Sequence, residues 1–195
     1  MLYEEDIKNI YQKNENNDII NEIDNNIKTQ LVLTNSKDNL ADDCLNIVHE
    51  NYKDIIEDQE TKIISDYLNI DLDNTYDEIM IFDILSTIEL DQYEKYLNYW
   101  ISFLNDNGTI YITDICLENI FNLFLAPNEF NGNKVTDDNI KMAISCIYGN
   151  KKYKRRSIIV PSILAGVLNN VGIKNVAMKS QNTKVSIKGT LFKGE

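Results

Sequence analysis

The stretch from residue 76 to residue 114 constrains the fold more than any other part of this chain. YDEIMIFDIL is a short apolar run. DQYEKYLNYWISFL repeats apolar side chains at helical spacing, and NDNGTIYITDI is a turn followed by a second apolar run. Strand, helix, tight turn and strand in that order make a right-handed crossover between two parallel neighbours. In the helix, Tyr93, Tyr96, Leu97, Trp100, Ile101 and Leu104 form one stripe, ended by Asn105-Asp106-Asn107-Gly108. A helix face packed on a sheet is the favoured reading of that stripe, ahead of an aromatic platform for bases.

The rest of the chain extends this α/β pattern. TQLVLTN, LNIVHE and TKIISD read as three further strands, and GTIYITDI as the fifth. Such short apolar runs suit strands covered on both faces of a parallel sheet. Residues 116–150 interrupt the alternation: CLENIFNLFLA is helical, PNEFNGNK a loop, and VTDDNIKMAISCIYG a helix with Thr136 as N-cap and Gly149 as stop. VPSILAGVLNNVG is another helix. IKNVAMKSQNTKVSIKGTLFK is two strands joined at Ser180–Thr183, an antiparallel hairpin at the sheet edge. Residues 1–28 form an acidic arm in which Ile7, Ile10 and Tyr11 share a helical face. The expected organisation is this arm, one domain over 29–195, and a helical insertion at 116–150.

Composition excludes several function classes. The apolar runs all fall short of the roughly 18–20 residues that cross a bilayer. The opening residues are acidic and polar, unlike a secretory or transit peptide, so the expected location is the cytoplasm, with no membrane partner. Cys44, Cys116 and Cys146 are far apart and His49 is the only histidine, which argues against a metal site or a disulfide framework. G-x-x-x-x-G-K-[ST], G-x-S-x-G and H-E-x-x-H are absent. Asn, Ile and Lys are abundant, as in an AT-rich genome such as a bacteriophage's.

Charge is unevenly spread within the net −12: residues 1–107 hold 7 basic and 25 acidic side chains, residues 108–195 hold 12 and 6. The run KKYKRR contains both arginines. Lys151, Lys152, Lys154, Arg155 and Arg156 could hold a polyanion; the favoured reading is instead a solvated loop or one paired with the acidic half.

The order of elements, with the Asp77-Glu78-Ile79 strand, Leu85 in the turn after it, Ile147-Tyr148-Gly149, Arg156-Ser157 and the final helix, resembles the class I S-adenosylmethionine (SAM)-dependent methyltransferases. The nearest likeness is to compact bacterial and phage members whose first crossover is a short loop. The resemblance covers roughly residues 31–193 and implies a Rossmann-like fold, a mostly parallel sheet with a C-terminal antiparallel hairpin, and SAM as cofactor. It implies Thr34, Asn35 and Ser36 at the cofactor turn, Glu50 on the ribose (His49 its rival), and Asp66 near adenine. Asp83 and Asp114 would be the catalytic carboxylates at the strand ends, Asp83 orienting the SAM amino group or acting as a base, with a raised pKa if buried.

The chain also departs from that pattern. A cofactor turn wrapping a ligand closely needs glycine for positive φ and for room. All seven glycines here lie at Gly108 or later, and the turn reads Leu33-Thr34-Asn35-Ser36-Lys37. The histidine- and glutamate-bearing turn of the compact members is replaced by Asp83-Ile84-Leu85-Ser86-Thr87. Two functions stay open: a SAM-dependent methyltransferase with a relaxed first motif, or an inactive methyltransferase-fold scaffold, virion or regulatory protein.

Overall fold

A computed structural model describes residues 30–35, 37–42, 44–55, 61–127, 132, 134–149 and 155–192. The arm at 1–28, Ser36 and the basic residues 151–154 lie outside the described residues.

Among the described residues, seven strands form one sheet in the order β3-β2-β1-β4-β5-β7-β6. They are β1 (Gln30–Thr34), β2 (Leu45–His49), β3 (Thr61–Ile64), β4 (Tyr76–Phe82), β5 (Leu104–Ile115), β6 (Ile173–Gln181) and β7 (Lys184–Leu191). β1 to β5 run parallel to one another, so their carboxyl ends share one edge. β7 enters antiparallel between β5 and β6, which makes the expected hairpin.

Side-chain alternation assigns the two faces of the sheet. Leu31, Leu33, Ile47, Ile79, Ile81, Ile110, Ile112 and Ile187 point to one face, where they join helices α1 (Tyr93–Ile101) and α4 (Pro161–Asn170) in the main core. Trp100, Tyr93 and Leu97 are fully buried there, so the aromatic stripe is packing. Trp100 also donates its indole N–H to the Tyr67 carbonyl at 2.9 Å. Val32, Cys44, Met80 and Phe82 form a smaller cluster on the opposite face.

No α-helix among the described residues connects β1 to β2 or β2 to β3. Among the described residues, the connections hold 3-10 turns at Lys37–Asn39 and Glu50–Ile55. The insertion holds α2 (Leu117–Ile120), which continues as a π-helix over Phe121–Leu125, and α3 (Asp137–Tyr148). Its core is separate: Ile115, Ile120, Phe124 and Ala143 pack together beyond the end of β5. No described helix is long and apolar enough to cross a membrane.

Element boundaries differ from the sequence reading at four places, and each has a local cause. β5 starts at Leu104 rather than near Gly108. Asn105–Gly108 forms an irregularity in the pairing with β4, with Asn107 at φ 61°. Only glycine fits at 108, since a Cβ there would lie 2.8 Å from the Asn105 carbonyl oxygen. β2 stops at His49, β3 at Ile64 and β4 at Phe82. The acidic residues read as strand ends are therefore one or two positions past them: Glu50 opens a 3-10 turn, Asp66 lies in a turn, and Asp83 takes a left-handed conformation at φ 58°.

Candidate functional site at the carboxyl edge of the sheet

Thr34 is the last residue of β1 and is fully buried. The chain leaves the sheet at Asn35, whose backbone N–H still donates to the Phe82 carbonyl at 3.3 Å. The Asn35 side chain then ties two neighbouring connections together. Its Nδ2 donates to the Asp83 carbonyl at 3.1 Å, and its Oδ1 accepts from the Tyr67 hydroxyl at 2.7 Å. Tyr67 comes from the loop after β3 and is 5% exposed. Its hydroxyl also lies 3.1 Å from the Thr34 carbonyl and accepts from the His49 N–H at 3.2 Å. Burial raises the Tyr67 pKa above the ordinary tyrosine value, which keeps the hydroxyl a donor.

A second group of contacts surrounds the ends of β4 and β5. Asp114 is buried, its two oxygens accepting from the Ser86 N–H at 2.8 Å and the Ile115 N–H at 2.7 Å. Burial, and next the neighbouring Asp83 charge, push its pKa up to about 6, against the lowering effect of those hydrogen bonds. Asp83 is half-buried and forms an ion pair with Lys184 at 2.7 Å. The turn 85–87 is clamped from far along the chain. Ser157 donates its hydroxyl to the Leu85 carbonyl at 2.9 Å, and the Arg156 and Ser157 N–H groups donate to the Ser86 carbonyl. Leu85 and Arg156-Ser157, two parts of the sequence pattern, thus meet in space.

The structure brings Thr34, Asn35, Asp83 and Asp114 together at one edge. Glu50 and Asp66 are exposed. Asp66 accepts from the Leu68 N–H at 2.9 Å within its own turn. The burial considered for Asp83 falls on Asp114. Arg155 is half-buried and donates from Nη1 to the Cys146 carbonyl at 2.6 Å, so part of its binding capacity is used within the chain. Sequence reasoning missed Tyr67 and Lys184. The hairpin direction carried a signal for Lys184: the first residue of an antiparallel strand beside β5 must sit at the carboxyl edge. Tyr67 had no such signal.

No family model and no curated protein matches this sequence. Solved structures do. An O-methyltransferase family protein from Burkholderia thailandensis superposes with a TM-score of 0.54 at 13% identity, over 86% of this chain and 52% of that one. The fold is that of the class I SAM-dependent methyltransferases. A SAM-dependent methyltransferase from Clostridium acetobutylicum gives 0.54 at 13% identity, over 84% and 83% of the two chains. Human N-acetylserotonin methyltransferase, in complex with SAM, gives 0.54 at 10% identity, over 84% and 48%. The present chain spans about half the length of the first and last of these proteins.

Proposed function

We propose that this methyltransferase-fold chain has lost its cofactor site and works as an interaction protein. One observation carries the reading: among the described residues, several polar groups at the ends of β1, β2 and β4 are paired within the chain itself. The N–H of Asn35 goes to Phe82, that of His49 to the Tyr67 hydroxyl, and that of Asp83 to the Thr113 carbonyl. The Asn35 amide and the Thr34 carbonyl are engaged by Tyr67 and Asp83. A bound SAM carboxylate and ribose would need free donors and acceptors at these strand ends. A cofactor seated at these strand ends would have to compete with this network, and no glycine relieves the turn, which supports the reading. Breaking the network leaves buried polar groups unpaired, at about 1–3 kcal/mol each.

The second reading is a SAM-dependent methyltransferase with a relaxed first motif. The convergence of Asp83 and Asp114 on the carboxyl edge favours it, since ligands of open α/β sheets sit at that edge. In this reading Thr34, Asn35, Ser36, Glu50 and Asp66 would hold the cofactor. A polyanion at 151–156 remains a proposal compatible with either reading; loss of heparin retention in Arg156→Ala would support it.

Thermal unfolding with millimolar SAM or S-adenosylhomocysteine separates the two readings. A ligand with a micromolar Kd would stabilise the folded state by about 4 kcal/mol, a shift of several degrees at this size. The expected result is no shift. A clear shift that disappears in Glu50→Ala would overturn the proposal and restore the enzyme.

A further inference from the structure

The insertion carries apolar surface that the other described residues do not cover. On α3, Ile140, Ile144 and Tyr148 are 42%, 49% and 66% exposed. At 100° per residue they fall within about 80° of arc, one narrow stripe along the helix. The stripe lies beside Ile147, which, with Leu117, Ile120, Phe121 and Leu125, lines an open cavity of ≈ 400 Å³. Phe121 itself is 54% exposed. Ala143 and Cys146 face the other way, into the small core of the insertion. An exposed stripe of three large apolar side chains, continuous with an apolar cavity, marks a contact surface.

We infer that this surface is a homodimer contact in which α3 packs antiparallel on α3 of a second copy, about a two-fold axis at Ile144. The spacing makes the stripe self-complementary. An axis at Ile144 sets Ile144 against its own copy and Ile140 against the partner's Tyr148, as an isologous interface requires. Charge selects the direction. Asp138 is paired with Lys141 at 3.2 Å. Asp137, about 20° around the helix from Ile144, leaves an acidic charge at the first turn on the stripe's side. Arg155 is bound at the other end, through its N–H to the Tyr148 carbonyl and through Nη1 to the Cys146 carbonyl. Arg156 beside it is exposed. Antiparallel packing brings the acidic end of each helix to the basic end of the other, and parallel packing would juxtapose like charges. A helix of 12 residues is about 18 Å long. The contact therefore sits at the small end of the interface scale, and the dimer is weak and concentration-dependent. This inference does not rest on the state of the cofactor site.

Sedimentation velocity of the full chain, from low micromolar to near-millimolar concentration, tests it. The mass should rise from 22.6 kDa toward twice that value, and the rise should weaken with salt. Ile144→Glu places two like charges at the axis and should raise Kd about tenfold or more. Met142→Glu is the control: Met142 is 47% exposed and lies about 160° around the helix from Ile144. It should dimerise like the unaltered chain. Asp137→Lys should weaken association at low salt, and far-ultraviolet circular dichroism should show every variant folded. A chain monomeric at all concentrations would overturn the inference, meaning that another segment or partner covers the stripe. Dimerisation unaffected by Ile144→Glu, or abolished equally by Met142→Glu, would also overturn it.

Discussion

Asp114 links the candidate site to a measurable dependence of stability on pH. Its carboxyl is fully buried and its pKa rises from 3.8 to about 6, mainly through desolvation and then through the Asp83 charge. The Asp83 charge is itself paired with Lys184, and Tyr93 approaches from α1. A folded-state pKa above the unfolded one means that the native state binds the proton more tightly. The resulting stabilisation is complete below about pH 4 and is lost as pH rises through about 6. The full effect is on the order of 3 kcal/mol, from a shift of about two pKa units. Between pH 7.5 and pH 5 the same relation gives about 1.4 kcal/mol. The comparison is made as a difference between the unaltered chain and a variant, so that any pH effect common to both cancels. Asp114→Asn keeps the shape, removes the titration, and leaves one of the Ser86 and Ile115 N–H groups without its acceptor, a loss of about 1 kcal/mol independent of pH. Urea unfolding of both proteins at pH 5 and 7.5 should show the unaltered chain gaining about 1.4 kcal/mol more than the variant on acidification. Equal changes in the two proteins would refute the reasoning and mean that Asp114 is hydrated in solution.

Two further outcomes follow from single contacts. Tyr67→Phe removes the hydroxyl shared by Thr34, Asn35 and His49, and should lower stability by about 1–3 kcal/mol in urea unfolding without altering the far-ultraviolet spectrum. Thr136→Ala breaks the capping box in which Thr136 Oγ1 accepts from the Asn139 N–H at 3.3 Å; hydrogen exchange in the first turn of α3 should accelerate, with a loss of about 1 kcal/mol.

The crossover from β4 through α1 to β5 was legible because its signal is local. Apolar periodicity switches from strand to helix and back within about forty residues, and only one handedness closes such a unit. The C-terminal hairpin was legible for the same reason, with Asn182 taking a left-handed conformation (φ 49°) in its turn. Strand ends were less legible. A run such as LNIVHE carries no mark of where pairing stops, and the acidic residue after it fits a strand end or the first turn of a 3-10 segment. Glu50 takes the turn, which moves its carboxylate off the ladder and into solvent.

The network at the carboxyl edge was illegible because its decisive contact spans 32 residues and depends on where one hydroxyl points. Absence of glycine at the first turn showed only that the turn must be built differently. It left open whether the space beside β1 stays vacant for a ligand or is taken by a side chain. Tyr67 takes part of it, and its position follows from packing on the far side of its own residue: the Tyr67 carbonyl accepts from Trp100, and the two rings meet edge to face at 6.3 Å. The crossover helix that makes the fold recognisable therefore also holds in place the side chain that occupies the ends of β1 and β2. A ligand entering there would have to displace Tyr67 against the main core rather than simply reorder a loop. For that reason the proposed loss of the cofactor site rests on the packing behind the turn as well as on the turn's own residues.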